Sequence, residues 1–217
     1  VRLLPPQASR PAVGLVVLSA VVVAVGAVLY HGQRRGGGLD NAVDDWLFTV
    51  FGRYRVFLYQ LLHVADLPVV VAVLAVTVTA ALLRGRPEIA ALAAIAPLTA
   101  ILLTEVVLKP LVHRWYNLGL SYPSGHTVGT VSECAVLGVI LLGATGLPLV
   151  LRVIMGALLL LVCGIVVLAL MVDDFHYFTD TVAGTFLSVG IVALVALAVD
   201  RVTGSVTRRP VGVSAQD

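Results

Sequence analysis

Ser121-Tyr122-Pro123-Ser124-Gly125-His126 sets a proline, a glycine, hydroxyls and an imidazole at the mouth of a long apolar run that begins at Thr127. Such a concentration of reactive groups beside an apolar segment marks a site. Two further polar clusters stand at the ends of other apolar segments: Lys109-Pro110-Leu111-Val112-His113-Arg114 before it, and Asp173-Asp174-Phe175-His176-Tyr177-Phe178-Thr179-Asp180 after it. If the segments between them cross a membrane, all three clusters lie on one side of it.

Composition supports that condition. The chain has 217 residues, 59% of them hydrophobic and 12% charged, whereas a water-soluble domain carries about 25% charged residues. Cys134 and Cys163 fall inside apolar runs, where a small hydrophobe is the expected role. The net charge of +2 is spread over loops and tails, which leaves no nucleic-acid footprint.

The expected fold is all-α: one membrane domain over residues 1–217, a bundle of six transmembrane helices at about 12–30, 67–83, 89–108, 127–146, 153–172 and 181–199, and a flexible tail at 201–217. A helix needs roughly 20 residues to cross a hydrocarbon core. The first run competes with a signal peptide, whose apolar core is usually about 7 to 15 residues; its length favours an anchor. Gly36-Gly37-Gly38 reads as a flexible connection. From Asp44 to His63, Leu47, Val50, Phe51, Tyr54, Leu58, Leu61 and Leu62 recur at helical spacing, with Asp45, Thr49, Arg53 and Gln60 between them. That pattern predicts an amphipathic helix, lying at the interface or packed on the bundle. Eight arginines fall on the side of the two termini: Arg2, Arg10, Arg84, Arg86, Arg152, Arg201, Arg208 and Arg209. The other side has Arg34, Arg35, Arg53, Arg55, Lys109 and Arg114. The positive-inside bias predicts a multi-pass cell-membrane protein with cytoplasmic termini and outward-facing clusters.

The clusters suit phosphate chemistry. Ser124 and Gly125 immediately precede a helix, so Ser124 is placed to cap it and leave the first backbone N–H groups for an anion, and Lys109 with Arg114 adds positive charge. His176 and Asp180 are four apart, so Asp180 can fix the imidazole tautomer and leave the other nitrogen as nucleophile or base. His126 is the second imidazole, suited to general-acid work. The same residues also read as metal ligands completed by His126 or Asp173. Glu133 lies seven residues beyond His126 on the same helical face, and intramembrane acids are usually functional. Glu105 stands four before Lys109, at pairing distance.

These motifs resemble those of the type 2 phosphatidic acid phosphatase family of integral membrane lipid phosphatases. The resemblance covers Lys109 to Gly184, with Pro-Ser-Gly-His at Pro123 to His126 and His-three-Asp at His176 and Asp180. It implies that His176 attacks phosphorus to form a phosphohistidine, Asp180 orients it, His126 protonates the leaving group, and Lys109, Ser124 and Gly125 bind phosphoryl oxygens. It implies a phosphorylated lipid substrate in contact with membrane lipids, with no metal and no cofactor. Two arginines of the family pattern are replaced, by Tyr116 in the first motif and by Leu170 ahead of the third, where Ala169-Leu170 stands for Ser-Arg. Arg114 and Tyr116 are the expected substitutes in gripping phosphate. The resemblance thus implies hydrolysis of a phosphomonoester or diphosphate on a phospholipid or polyprenyl lipid, or else a degenerate member that binds lipid or serves assembly. An intramembrane serine hydrolase using Ser124 is disfavoured, because capping ties up the hydroxyl.

Overall fold

The computed structural model describes residues 2–206. Its helices are α1 (Ser9–Tyr30), α2 (Gly38–Phe51), α3 (Arg55–Leu61), α4 (Leu67–Leu83), α5 (Pro87–Leu102), α6 (Lys109–Val112), α7 (Gly125–Gly143), α8 (Leu149–Val172) and α9 (Phe178–Val206), with a two-stranded hairpin, β1 (Trp115–Tyr116) and β2 (Gly119–Leu120), ahead of α7. Five helical segments are long and apolar enough to cross a membrane, and α4, bent by 43° from the segment before it, supplies a sixth when the pair is taken as one span. The chain is an all-helical, multi-pass integral membrane protein.

α9 is the central post, packed against α1, α5 and α7. Small residues permit the close approach, as in membrane helices generally. A Cβ at Gly184 would stand 3.0 Å from the Ser124 carbonyl oxygen, and one at Gly190 would stand 2.5 Å from the Ser19 Cβ. Ser188 Oγ reaches the Val128 carbonyl of α7 at 3.1 Å, so polar side chains join the two helices where no water competes.

Three expectations change in detail. The amphipathic segment is two helices, α2 and α3, separated by a 3₁₀ turn at Gly52–Tyr54. Both pack on α8, burying Leu47, Leu58 and Leu62 and leaving Trp46 and Phe57 exposed. Gly38 is the first residue of α2 rather than part of a slack connection, because Asp40 accepts the Gly37 N–H at 3.2 Å and closes the first turn. The tail is helical through Val206: Asp200 accepts the N–H groups of Leu3 and Leu4 at 2.6 and 3.0 Å, which ties the end of α9 to the start of the chain. The rest of the tail, 207–217, lies outside the described residues.

α5 runs into α6 through a single π-helical turn, Leu103–Leu108. Pro110 gives a reason for it. Proline has no N–H to offer the carbonyl of Val106 and its ring crowds that carbonyl, so the preceding turn widens. The widened turn carries Glu105 and leads directly into Lys109.

Candidate active site

The site is assembled where α6, the start of α7 and the α8–α9 loop meet. Ser124 has extended backbone geometry and its Oγ accepts the Thr127 N–H at 3.3 Å, which caps α7; the Thr127 hydroxyl adds a 3.0 Å bond to the same oxygen. Ser124 N–H donates to the Asp180 carbonyl at 3.1 Å, so the central and third clusters are joined directly. Ser124 is fully buried; it shapes the helix start. Gly125 and His126, next on α7, line a cavity of about 410 Å³ together with Lys109, Tyr116 and His176.

The imidazoles of His126 and His176 both border this cavity and meet edge-on, with ring centroids 6.2 Å apart. Phe175 stands beside His126 at 6.3 Å and stacks on Tyr59 of α3 at 6.4 Å. His176 Nδ1 lies 3.8 Å from Asp180 Oδ2, beyond hydrogen-bond length, and is buried without a hydrogen-bond partner. Catalytic hydrogen bonds are often long before substrate binds.

The loop that carries His176 is held from two sides. Arg55 donates from Nε to Asp173 Oδ1 at 3.1 Å and its Nη2 reaches Asp174 at 3.2 Å. Asn117 donates to the Asp174 carbonyl at 3.3 Å from the hairpin. Burial raises the pKa of Asp173, and Arg55 only partly offsets it. The paired aspartates are therefore engaged by an arginine of α3. Among the described residues no three His, Cys, Asp or Glu side chains come together as metal ligands would.

Arg114 stands outside the cavity wall. It is fully buried, and its guanidinium is divided between Asp40 Oδ2 and Asp180 Oδ1, both at 2.5 Å. Tyr30 and Tyr177 sandwich it, with the guanidinium carbon 4.2 and 4.5 Å from the ring centroids. His113, at φ 54°, turns the chain out of α6 just before Arg114. Asp40 also accepts the Thr179 N–H at 3.0 Å and the Thr179 hydroxyl at 2.8 Å. Burial pushes the Asp40 carboxyl up, but the Thr179 donors and the Arg114 guanidinium outweigh it and hold the group below its ordinary 3.8. Arg114 thus holds the base of α9 and the far oxygen of Asp180. It does not line the cavity.

The remaining expected residues divide. Lys109 and Gly125 lie in the cavity wall, and so does Tyr116, whose phenol is pushed upward in pKa by burial and by Asp174. Its ring meets Tyr177 edge-on at 4.4 Å. Leu170, the position of the absent third-motif arginine, is fully buried in the apolar cluster with Leu47, Leu58 and Leu62. Glu133 is buried on α7 with Oε1 unpartnered, one helical turn and more below Gly129. Asp40, Thr179 and Arg55 were missed: their partners are far away in sequence.

An all-helical membrane bundle with a histidine-bearing cavity at one end defines the class. The fold is similar to that in a crystal structure of the first transmembrane PAP2 type phosphatidylglycerolphosphate phosphatase from Bacillus subtilis, with a TM-score of 0.64 over 92% of this chain and 98% of that chain, at 13% identity. The likeness in fold is to the group of proteins whose motifs the sequence resembles. No protein-family model and no curated protein sequence matches the chain.

Proposed function

We propose that this protein is a membrane lipid phosphatase that hydrolyses a phosphomonoester or diphosphate of a phospholipid or polyprenyl lipid through a phosphohistidine. The observation that carries the reading is that two imidazoles, with ring centroids 6.2 Å apart, border one cavity together with Lys109 and the start of α7. In this reading His176 attacks phosphorus, the P–O bond to the lipid breaks, and His126 gives its proton to the leaving oxygen. Neutral His126 then takes a proton from water as that water attacks the phosphohistidine. The P–N bond breaks, freeing inorganic phosphate and restoring both imidazoles. Asp180 stabilises the cationic imidazole, and Lys109 with the Gly125 backbone receives phosphoryl oxygens.

His176→Ala should abolish phosphate release from phosphatidic acid, phosphatidylglycerophosphate and polyprenyl phosphates in detergent or vesicles, with chelators leaving the natural protein unaffected. Activity that survives the alanine and dies with a chelator would replace this mechanism with a metal-dependent one. The alternative, a degenerate member that binds lipid or serves assembly, is favoured by one observation: no arginine lines the cavity among the described residues. Absence of turnover on the whole panel, with lipid binding retained, would select it.

The reading includes orientation. The arginine distribution supports cytoplasmic termini and a site at the outer leaflet of the cell membrane. A cysteine at Gly38, exposed at the start of α2, should label with an impermeant thiol reagent in intact cells, and one at Thr145, exposed between α7 and α8, should not. The reverse pattern would place the site in the cytoplasm.

A further inference from the structure

Glu105 sits on the widened π turn ahead of Lys109, and its Oε1 accepts from Lys109 Nζ at 2.7 Å. The same oxygen lies 2.5 Å from the point where a Cβ on Gly125 would stand, and Lys109 Nζ lies 3.4 Å from that point. Glutamate therefore fits against Gly125 because glycine has no side chain. A carboxylate already fills the corner between the ammonium group and the start of α7, the corner assigned above to phosphoryl oxygens. Carboxylate and phosphoryl oxygens use the same donors.

Lys109 is the sole lysine or arginine in the cavity wall among the described residues. Arg114 is buried between Asp40 and Asp180, and Arg55 is engaged by Asp173 and Asp174. The other titratable groups of the wall are Tyr116, His126 and His176. The cavity thus pairs one permanent cation with one acid.

We propose that Glu105 is a specificity-determining residue: an internal carboxylate that a substrate must displace from Lys109, and that selects a phosphomonoester over a diphosphate. The proposal rests on reading this corner as the phosphoryl seat. Displacement is feasible because the Glu105 side chain is 46% exposed and borders the cavity, where it can turn aside without leaving the helix. Its backbone is fixed on the helix, so the displaced charge stays within a Debye length, about 8 Å at physiological salt, of whatever enters. Each further negative charge on the entering group meets that repulsion, and a diphosphate brings more charge than a monoester while finding the same single lysine.

Inorganic phosphate and pyrophosphate are the probes, titrated calorimetrically into the full chain in detergent, so the readout is independent of turnover. Glu105→Gln keeps the shape and removes the charge. It should tighten phosphate binding by about tenfold and pyrophosphate binding by a larger factor. Glu105→Ala should give the same order, and Lys109→Met should weaken both probes. Unchanged or weaker binding of both probes in the two Glu105 variants would overturn the proposal, and equal tightening of both would overturn the selection by charge. If phosphate binds neither the natural protein nor Glu105→Gln, the seat itself is wrongly assigned and the inference falls with it. Binding that is present but indifferent to Glu105 would sink only the inference.

Discussion

Two ionic clusters stand within one loop of each other and have opposite characters. Arg114 is fully buried, held at 2.5 Å by Asp40 and by Asp180 and sandwiched by two tyrosines. Lys109 and Glu105 meet at 2.7 Å with side chains 16% and 46% exposed. Desolvation and reach set the difference. A buried arginine bonded to two buried carboxylates cannot let go without leaving charges stranded in a low dielectric, whereas a lysine on a flexible stem at a cavity wall can exchange one anion for another. A cation near a site is therefore available to substrate only when its present partner can leave.

The largest effect that would break this contrast is on stability. Arg114→Met should destabilise the protein by about 3–5 kcal/mol, because it leaves Asp40 and Asp180 buried without their counter-charge. Thermal unfolding in detergent would read it. Arg114→Lys should recover little, since one ammonium cannot serve two carboxylates on opposite sides as a guanidinium does. Asp40 adds a pH dependence. Its folded pKa lies below 3.8, so its contribution is present above that value and lost as pH falls through the folded pKa. A fully stable Arg114→Met protein with lowered phosphate affinity would reverse the assignment and return Arg114 to the seat.

Lys109 should behave oppositely. Lys109→Met removes a partly exposed pair worth about 0–1 kcal/mol, so unfolding should hardly move. The same change should lower kcat/KM for the lipid substrate by about a hundredfold, the usual cost of a lost oxyanion partner. A variant that loses stability and keeps its rate would show that Lys109, like Arg114, is structural.

Much of this arrangement was legible in the sequence, for a reason that also marks the limit. The apolar runs are long enough to demand helices, and once they are counted, Lys109, Gly125, His126 and His176 must lie at one end of the bundle. Local chemistry gave the Ser124 cap. What the sequence withheld were pairings across distance. Asp40 and Arg114 are 74 positions apart, and nothing near Arg114 distinguishes a buried guanidinium from a phosphate ligand. Leu170 shows the same limit: the family resemblance implied a phosphate-facing arginine at this position, while the structure buries Leu170 in one apolar cluster with Leu47 and Leu58. The helix through Val206 depends on Asp200 finding the backbone of Leu3 and Leu4, a contact between the two ends of the chain.

The smallest effect expected lies at the border of the buried cluster. Asp44, half-buried on α2, has one oxygen with no partner, and its pKa is raised to about 7 by burial first and then by the charges of Asp40, Asp174, Asp180 and Asp45. Its neighbours have the arginines and Asp44 has none, so it marks the edge of the region that Arg114 compensates. A carboxyl whose folded pKa lies above its unfolded 3.8 favours the folded state below that value, and the advantage is lost as pH rises through the folded value of about 7. Between those limits the folded protein holds a proton that the unfolded chain has released; above them both are ionised and the penalty is constant. Asp44→Asn removes the titration while keeping the shape. Its melting temperature should exceed that of the natural protein by a margin that widens from about pH 4 to about pH 7 and then levels off. The margin should be a few degrees at most, because solvent screens a half-exposed group. A margin independent of pH would mean that Asp44 is ionised in the folded state throughout. Positive charge from the Arg114 cluster would then extend further toward the cavity than the partition into buried and open pairs allows.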